Sequence, residues 1–600
     1  MKEEQLLVNR EDESLGYASS APQLVQNPVV AWAVRGLGLL LFFVVVLGVQ
    51  GSPLQAPRVT RLATEATTWV EMLPTDVVSH MDRNVDPCDD LYTFSCGSWL
   101  KNMKIPEDES SVSLIMDKLN DENEKVLKHV MHQGWPLVGE LYDSCMSFNN
   151  TSSTTADDAS LKVLSPVLDQ IAATKNKRKL FRLAGVLFKT GTSFVTRLGV
   201  QADARKSTVN ALYASQNGLS LPDLPYYMDR KKFDSISDAF HAYVVKLFML
   251  AGWGSRAAAS QASTNRMSVA QAADRYPLVF SEFLKGTGIL RNLTDQNADV
   301  IVQTPEFFKH VEQLVTGDSV TLETLKAVLM YQFISAKAEY LSEPFIQAKF
   351  PFFDRTISGQ KKRSPRWKVC LDLVSNNFPD LVGKHFAHLR FDKTSRQLAS
   401  KLVAQVQASM QKNLKQMDWL DGPTRQAAVD KLDKMTNLTG YSTVSEHFPY
   451  KLRGDALLAD NMRIIVEHLF YRSVEQIGGP VNRNEWIVTG AETSAYYDPQ
   501  TNQIVLPAGI LQSPFFASEH HPARNFASTG HTIGHELIHG FDASGRYYDG
   551  DGSLQNWWSN DTANKFLQRA DCLVKQYNSF AATSDADRIR CLVTSTGASP

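Results

Sequence analysis

Fourteen uninterrupted apolar residues, Gly36 to Val49, lie near the start of the chain and decide on which side of a membrane everything after them folds. Only Arg35 separates this run from a second apolar stretch, Val29 to Val34. Together they approach the roughly 20 residues a bilayer-spanning helix needs, and an arginine near one end can lift its charge to the headgroups. A cleaved signal peptide is the other reading, since its hydrophobic region is of similar length and a small-residue cut falls near Gly51. The leader is long for a signal peptide and carries five acidic side chains between Glu3 and Glu13, so a transmembrane signal anchor over 29–51 is preferred. A cytoplasmic tail over 1–28 and a stalk over 52–85 then flank it.

Flanking charge does not orient the segment, because Arg10 and Arg35 on one side face Arg58 and Arg61 on the other. Asn149, Asn150, Asn292, Asn437 and Asn560 each open an N-x-S/T glycosylation triplet, all on the C-terminal side of the run. The six cysteines, Cys88, Cys96, Cys145, Cys370, Cys572 and Cys591, lie there too, which suits an oxidising compartment. A reduced cytosolic protein with six buried thiols and an apolar core helix near its start is the competing assignment. The preferred localisation is the plasma membrane or secretory pathway, single-pass type II, with the ectodomain extracellular or lumenal. A chain of 600 residues is too long for one hydrophobic core, so two lobes are expected. With 62 basic against 64 acidic residues no global field attracts a polyanion, which argues against a nucleic-acid partner.

Beyond the stalk, apolar residues recur at three- and four-residue steps over Leu119–Val130, Ser235–Leu250 and Leu398–Leu414, so residues 86–480 read as a mainly helical lobe. Lys361-Lys362-Arg363-Ser364-Pro365-Arg366 breaks the pattern and reads as a solvated connecting loop in preference to a processing or basic-recognition site. A second lobe is placed over 481–600. In it Ile504–Pro507 reads as a short strand, Phe526–Asp542 as a helix packed inside the lobe, and Asp549–Gly552 as a turn.

Within that helix stands His535-Glu536-Leu537-Ile538-His539. A four-residue step puts both imidazoles on one face a turn apart, so two nitrogens can reach one metal ion at about 2.0–2.1 Å. Glu536 projects to the side, off the metal but within reach of a water bound to it. Zinc lowers that water's pKa and polarises a scissile carbonyl, and the carboxylate takes the proton as general base. Peptide-bond hydrolysis is the chemistry these roles describe.

The extended string Gly534-His535-Glu536-Leu537-Ile538-His539-Gly540-Phe541-Asp542, followed by Gly545-Arg546, closely resembles the zinc helix of the neprilysin and endothelin-converting-enzyme family of membrane metallopeptidases. The likeness continues in order through Asp86-Pro87-Cys88-Asp89-Asp90, Ser95-Cys96-Gly97-Ser98-Trp99, Tyr142-Asp143-Ser144-Cys145, Arg366-Trp367, Leu506-Pro507-Ala508-Gly509, Pro514-Phe515-Phe516 and Trp557-Trp558. It implies a mainly α, two-lobed gluzincin-type ectodomain with a short β element near the zinc helix, preceded by one transmembrane helix. It implies one zinc ion held by His535 and His539, Glu536 as the catalytic base, and Asp542 bracing a histidine. Small peptides are the implied substrates, with Ser494 and Ala495 at the segment that holds their backbone. Cys145 and Cys370 match a disulfide of the family.

Three departures qualify the likeness. The family's third zinc ligand is a glutamate in a downstream E-N-x-x-D segment, yet no glutamate follows Glu536 in this chain, so the catalytic lobe is expected to be incomplete at its C-terminus. The partners of Cys88, Cys96 and Cys572 are expected to be missing with it, and Cys591 is unassigned. Ser494 stands where the family has asparagine, and Ser110 and Ser111 stand where some members place an arginine for a substrate's terminal carboxylate. The sequence therefore describes a zinc metalloendopeptidase, with a catalytically inactive ectodomain that binds peptides or partners as the alternative. Homo-oligomerisation stays open.

Overall fold

A computed structural model describes residues 73–147, 153–217, 220–221, 225–250, 265–291, 299–444, 447–578 and 589–590. The apolar run expected to span a bilayer lies outside them, as do Asn149, Asn150 and Asn292. Among the described residues no helix is long and apolar enough to cross a membrane. Asn437 and Asn560 are exposed.

Two hydrophobic cores organise the chain. The first gathers side chains from Leu164 to Phe352, joined by Ala459 and Val474. The second draws on Leu119 to Cys145 and again on Cys370 to Leu537, so the chain begins it, leaves to build the first, and returns. Helices dominate both, and the apolar spacings read from the sequence sit inside them. Helix α1 (Leu114–Met131) buries Leu119, Asn123, Leu127 and Val130 on one stripe. After α2 (Val138–Ser147) come α3 (Lys177–Phe188) and α4 (Arg230–Leu250), which belong to the first core. The second core resumes with α5 (Arg366–Asn377), α6 (Lys393–Gln416) and α7 (Gly422–Lys434). Asp392 and Asp421 cap α6 and α7 by accepting from Ser395 N–H at 2.7 Å and Thr424 N–H at 2.8 Å.

A four-stranded sheet in the first core was not foreseen from sequence. Its strands β1 (Thr196–Asp203), β2 (Lys206–Gln216), β3 (Asn265–Ser268) and β4 (Asp299–Val302) run in spatial order β1-β2-β4-β3. β1 and β2 form an antiparallel hairpin in register Thr196↔Gln216, and β2 pairs β4 in parallel at Leu212↔Val300. At the hairpin tip Arg205 N–H donates to Asp203 Oδ1 at 2.9 Å, an aspartate turn that no hydrophobic alternation announces. A second, three-stranded sheet joins β5 (Thr436–Gly440), β6 (Tyr496–Asp498) and β7 (Gln503–Pro507). β7 is buried along its whole length between the other two, and it contains the strand expected over Ile504–Pro507.

The basic stretch 361–365 is irregular backbone, as expected of a connecting loop. Its Lys361 and Lys362 N–H groups donate to Glu107 O at 2.8 and 2.7 Å, and α5 starts at Arg366. Cys145 and Cys370 form the disulfide implied by the resemblance, joining α2 to α5 across 225 residues of sequence. The Arg366 guanidinium donates to Cys145 O at 3.0 Å beside it. Cys88 and Cys572 are free and exposed. Cys96, expected to lack a partner, is instead disulfide-bonded, and it is buried on the helix Leu91–Asn102.

The Cys145–Cys370 bond closes a long loop of the unfolded chain. Replacing both cysteines by serine is expected to lower stability by about 2–4 kcal/mol. Thermal unfolding followed by circular dichroism checks this; an unchanged midpoint would show that the second core is held without the bond.

Candidate metal centre

The segment carrying the histidines is helical from Pro522, passes through one widened π-type turn at Phe526–Gly530, and continues as α8 (His531–His539). Thr529 Oγ1 anchors the wide turn by donating to Phe515 O at 3.1 Å. Such turns shift the face a helix presents and recur at functional sites. Ile533 and Leu537, both fully buried, fix α8 in the second core, and the helix also packs on β6. His535 and Glu536 are buried on the same helix at 7% and 3% exposure.

His535 Nε2 and His539 Nε2 lie 3.0 Å apart, with the ring planes nearly perpendicular at 87°. Two nitrogens at that distance share one proton or one cation. Asp542 decides which atom of His539 faces inward: its Oδ2 accepts from His539 Nδ1 at 2.7 Å, leaving the Nε2 lone pair directed at His535. The carboxylate is itself held, since Oδ1 accepts from Ser544 N–H at 2.8 Å and Gly545 N–H at 2.7 Å. The helix expected over Phe526–Asp542 therefore ends three residues early, because Asp542 turns the backbone by capturing the following amides. Gly545 is required there: a Cβ would stand 1.7 Å from His539 O.

Further support comes from α7. Lys431, 1% exposed, donates from Nζ to Gly545 O at 2.8 Å and Tyr548 O at 2.6 Å. Burial pushes its pKa down to about 7, against the opposing pull of Asp542 and Asp549. Asn502, at the β6–β7 turn with φ 49°, donates to Lys431 O at 3.0 Å and to Gly550 O at 2.9 Å. From the first core the β1–β2 hairpin touches the same loop, with Ser207 Oγ donating to Asp551 O at 2.5 Å. The sequence reading gave no role to Lys431, Asn502 or Gly545. Gly545 stood in the string that carries the family resemblance, and Lys431 left a signal as a lysine on the buried stripe Thr424, Ala428, Lys431, Leu432 of α7.

Ser494 and Ala495 immediately precede β6. Ala495 is buried in the second core, and the Ser494 hydroxyl donates to Ala495 O at 3.3 Å. Neighbouring Thr493 is tied to α1 through Asn120 Oδ1 at 2.5 Å. His535, Glu536, His539 and Asp542 thus lie on and just after α8, and Ser494 and Ala495 lead into β6, the strand on which α8 packs.

The residues present fit a zinc ion as two of its donors. A tetrahedral site with bonds of about 2.0–2.1 Å separates adjacent nitrogens by about 3.3 Å, close to the spacing observed. Asp542 supplies the partner that metal-binding histidines use to fix their tautomer. Among the described residues no three or more His, Cys, Asp or Glu side chains converge as a metal-binding group, so the third donor is not in this set.

A mainly helical fold with paired histidines and an intervening glutamate on a buried helix defines a metallopeptidase. The two parts of Peptidase family M13 match residues 87–263 and 255–442 for its N-terminal region and 494–597 for its catalytic region. The chain belongs to this family and is by that membership a metalloendopeptidase. It is 25% identical over 557 residues to endothelin-converting enzyme 1 of Mus musculus, covering 85% of this chain and 71% of that protein. It is 24% identical over 564 residues to neprilysin-3 of Drosophila melanogaster, covering 84% and 70%. In structure it is similar to the Mycobacterium tuberculosis zinc metalloprotease Zmp1 in complex with inhibitor, with TM-score 0.76, 26% identity and coverage of 85% and 81%.

Removing the carboxylate in Asp542→Ala is expected to weaken zinc binding by about 10–100-fold. Competition against a chromophoric chelator measures it, and a wild-type affinity would exclude Asp542 from supporting His539.

Proposed function

We propose that this chain hydrolyses internal peptide bonds of small extracellular or lumenal peptides, as an ectodomain tethered by residues 29–51, with one zinc ion held by His535 and His539. The observation that supports the reading is the 3.0 Å approach of the two Nε2 atoms, braced by Asp542 and flanked by Glu536. Zinc, when bound, supplies Lewis acidity to the scissile carbonyl and to the attacking water. Glu536 takes the water's proton as the new C–O bond forms and passes it to the departing amine nitrogen as the C–N bond breaks. His539 keeps its orientation throughout because Asp542 holds Nδ1. Ser494, shorter than the family's asparagine, orients the substrate backbone with less reach. Ser110 and Ser111 offer no cation for a terminal carboxylate, which favours cleavage within a peptide over release of a C-terminal dipeptide.

A second reading is an inactive ectodomain that binds peptides or partners without cutting them. The presence of only two histidine donors among the described residues favours it. Purified protein carrying a measured equivalent of zinc separates the two on quenched-fluorescence peptides. Hydrolysis is expected, with Glu536→Gln lowering kcat by at least about 100-fold while zinc stays bound. Zinc-loaded wild type that binds these peptides and leaves them intact would establish the second reading instead.

A further inference from the structure

Lys431 is spent on an interior position where an apolar side chain would fill the space at less cost, because burying an ammonium is tolerated only when its hydrogens are used. Both of its recorded hydrogen bonds go to backbone carbonyls, Gly545 O and Tyr548 O, not to a carboxylate. The rings of Tyr497, Phe541 and Trp557 surround Nζ at 5.8, 5.7 and 5.7 Å. Trp557 also donates from Nε1 to Tyr548 O at 2.9 Å, so the same carbonyl is gripped twice.

Gly545 is where this arrangement meets the histidines. Its carbonyl accepts from Lys431, and its N–H donates to Asp542 Oδ1 at 2.7 Å. Asp542 Oδ2 in turn holds His539 Nδ1. The residue has almost no freedom to drift, since it lies against His539 O with no room for a Cβ. We propose that Lys431 is a positioning residue for the metal centre, setting the Asp542 carboxylate through Gly545 and thereby the direction of His539 Nε2. A protonated or a neutral amine donates both hydrogen bonds, so the relay does not depend on the charge of Lys431.

The proposal rests on His539 being a metal ligand, and two readouts keep the two ideas separable. Lys431→Met preserves length and apolar packing but removes the donors. Its expected effects are a zinc dissociation constant raised by about 10–100-fold and a shifted d–d absorption band in the cobalt-substituted protein. In the metal-free protein the Ser544 and Gly545 amides should exchange with solvent about fivefold faster, the equivalent of about one lost hydrogen bond. Lys434→Met, which removes an exposed amine of the same helix bound to Asp551 at 2.8 Å, should move none of the three. A folded Lys431→Met with wild-type zinc affinity and cobalt spectrum would overturn the proposal. If that variant loses its thermal unfolding transition, Lys431→Leu, which also lacks the donors, decides on the same criteria. If wild type binds no zinc, the metal reading falls by itself, and unchanged amide exchange in Lys431→Met would overturn the relay.

Discussion

Two imidazole nitrogens facing each other at 3.0 Å inside a protein set the terms for everything around them. The helix that carries them must therefore be held rigidly along and about its axis. Ile533 and Leu537 supply the hold along one face, and the anchored π-type turn ahead of His531 sets the rotation. The closing grip is Asp542, which ends the helix and orients His539 with the same carboxylate. Geometry at the centre is thus a property of second-core packing and not of the HExxH residues alone.

The way the chain threads its two cores explains why distant segments meet at this helix. α1, which begins the second core, contributes Asn120 and Asn123 to the strand and turn beside α8; Asn123 Nδ2 donates to Gly509 O at 2.8 Å. The returning half contributes α7 and both outer strands of the three-stranded sheet. The Cys145–Cys370 bond sits where the chain leaves and re-enters that core, so it fastens the two halves that build the site. The first core reaches the same region through the β1–β2 hairpin tip at the loop after α8.

Periodicity made the helices legible, because Leu119, Leu127 and their equivalents recur at the pitch of an α-helix and one face of each is buried. The three-stranded sheet was half visible: β7, buried on both sides, reads as the apolar run Ile504-Val505-Leu506, whereas β5 and β6 are short and only partly buried. The first core's sheet was hidden for a different reason. β1 and β2 carry small and polar residues among their apolar ones, and β4 pairs with β2 across a long insertion, a contact that local pattern does not encode. At the metal centre the ligand-bearing residues announce themselves by spacing. Their supports do not, since Asn502 and Gly545 act through backbone conformation and carbonyl direction that appear only once the fold is formed.

Those supports carry an argument of their own. A buried lysine, an asparagine with positive φ, a glycine with no room for a side chain and a pair of opposed histidines each break a local rule for a stable interior. Scattered through a protein they would read as tolerated defects. Here Lys431, Asn502, Gly545, His535 and His539 are linked to one another or through Asp542 by direct hydrogen bonds, and the segments between them obey the ordinary rules. Local stability is given up at one connected place, and what that place achieves is the fixed direction of His539 Nε2 toward His535. A chain that used this lobe only as a binding surface would gain nothing from holding one nitrogen lone pair so strictly, and this is the physical reason to rank catalysis at a metal ahead of passive binding.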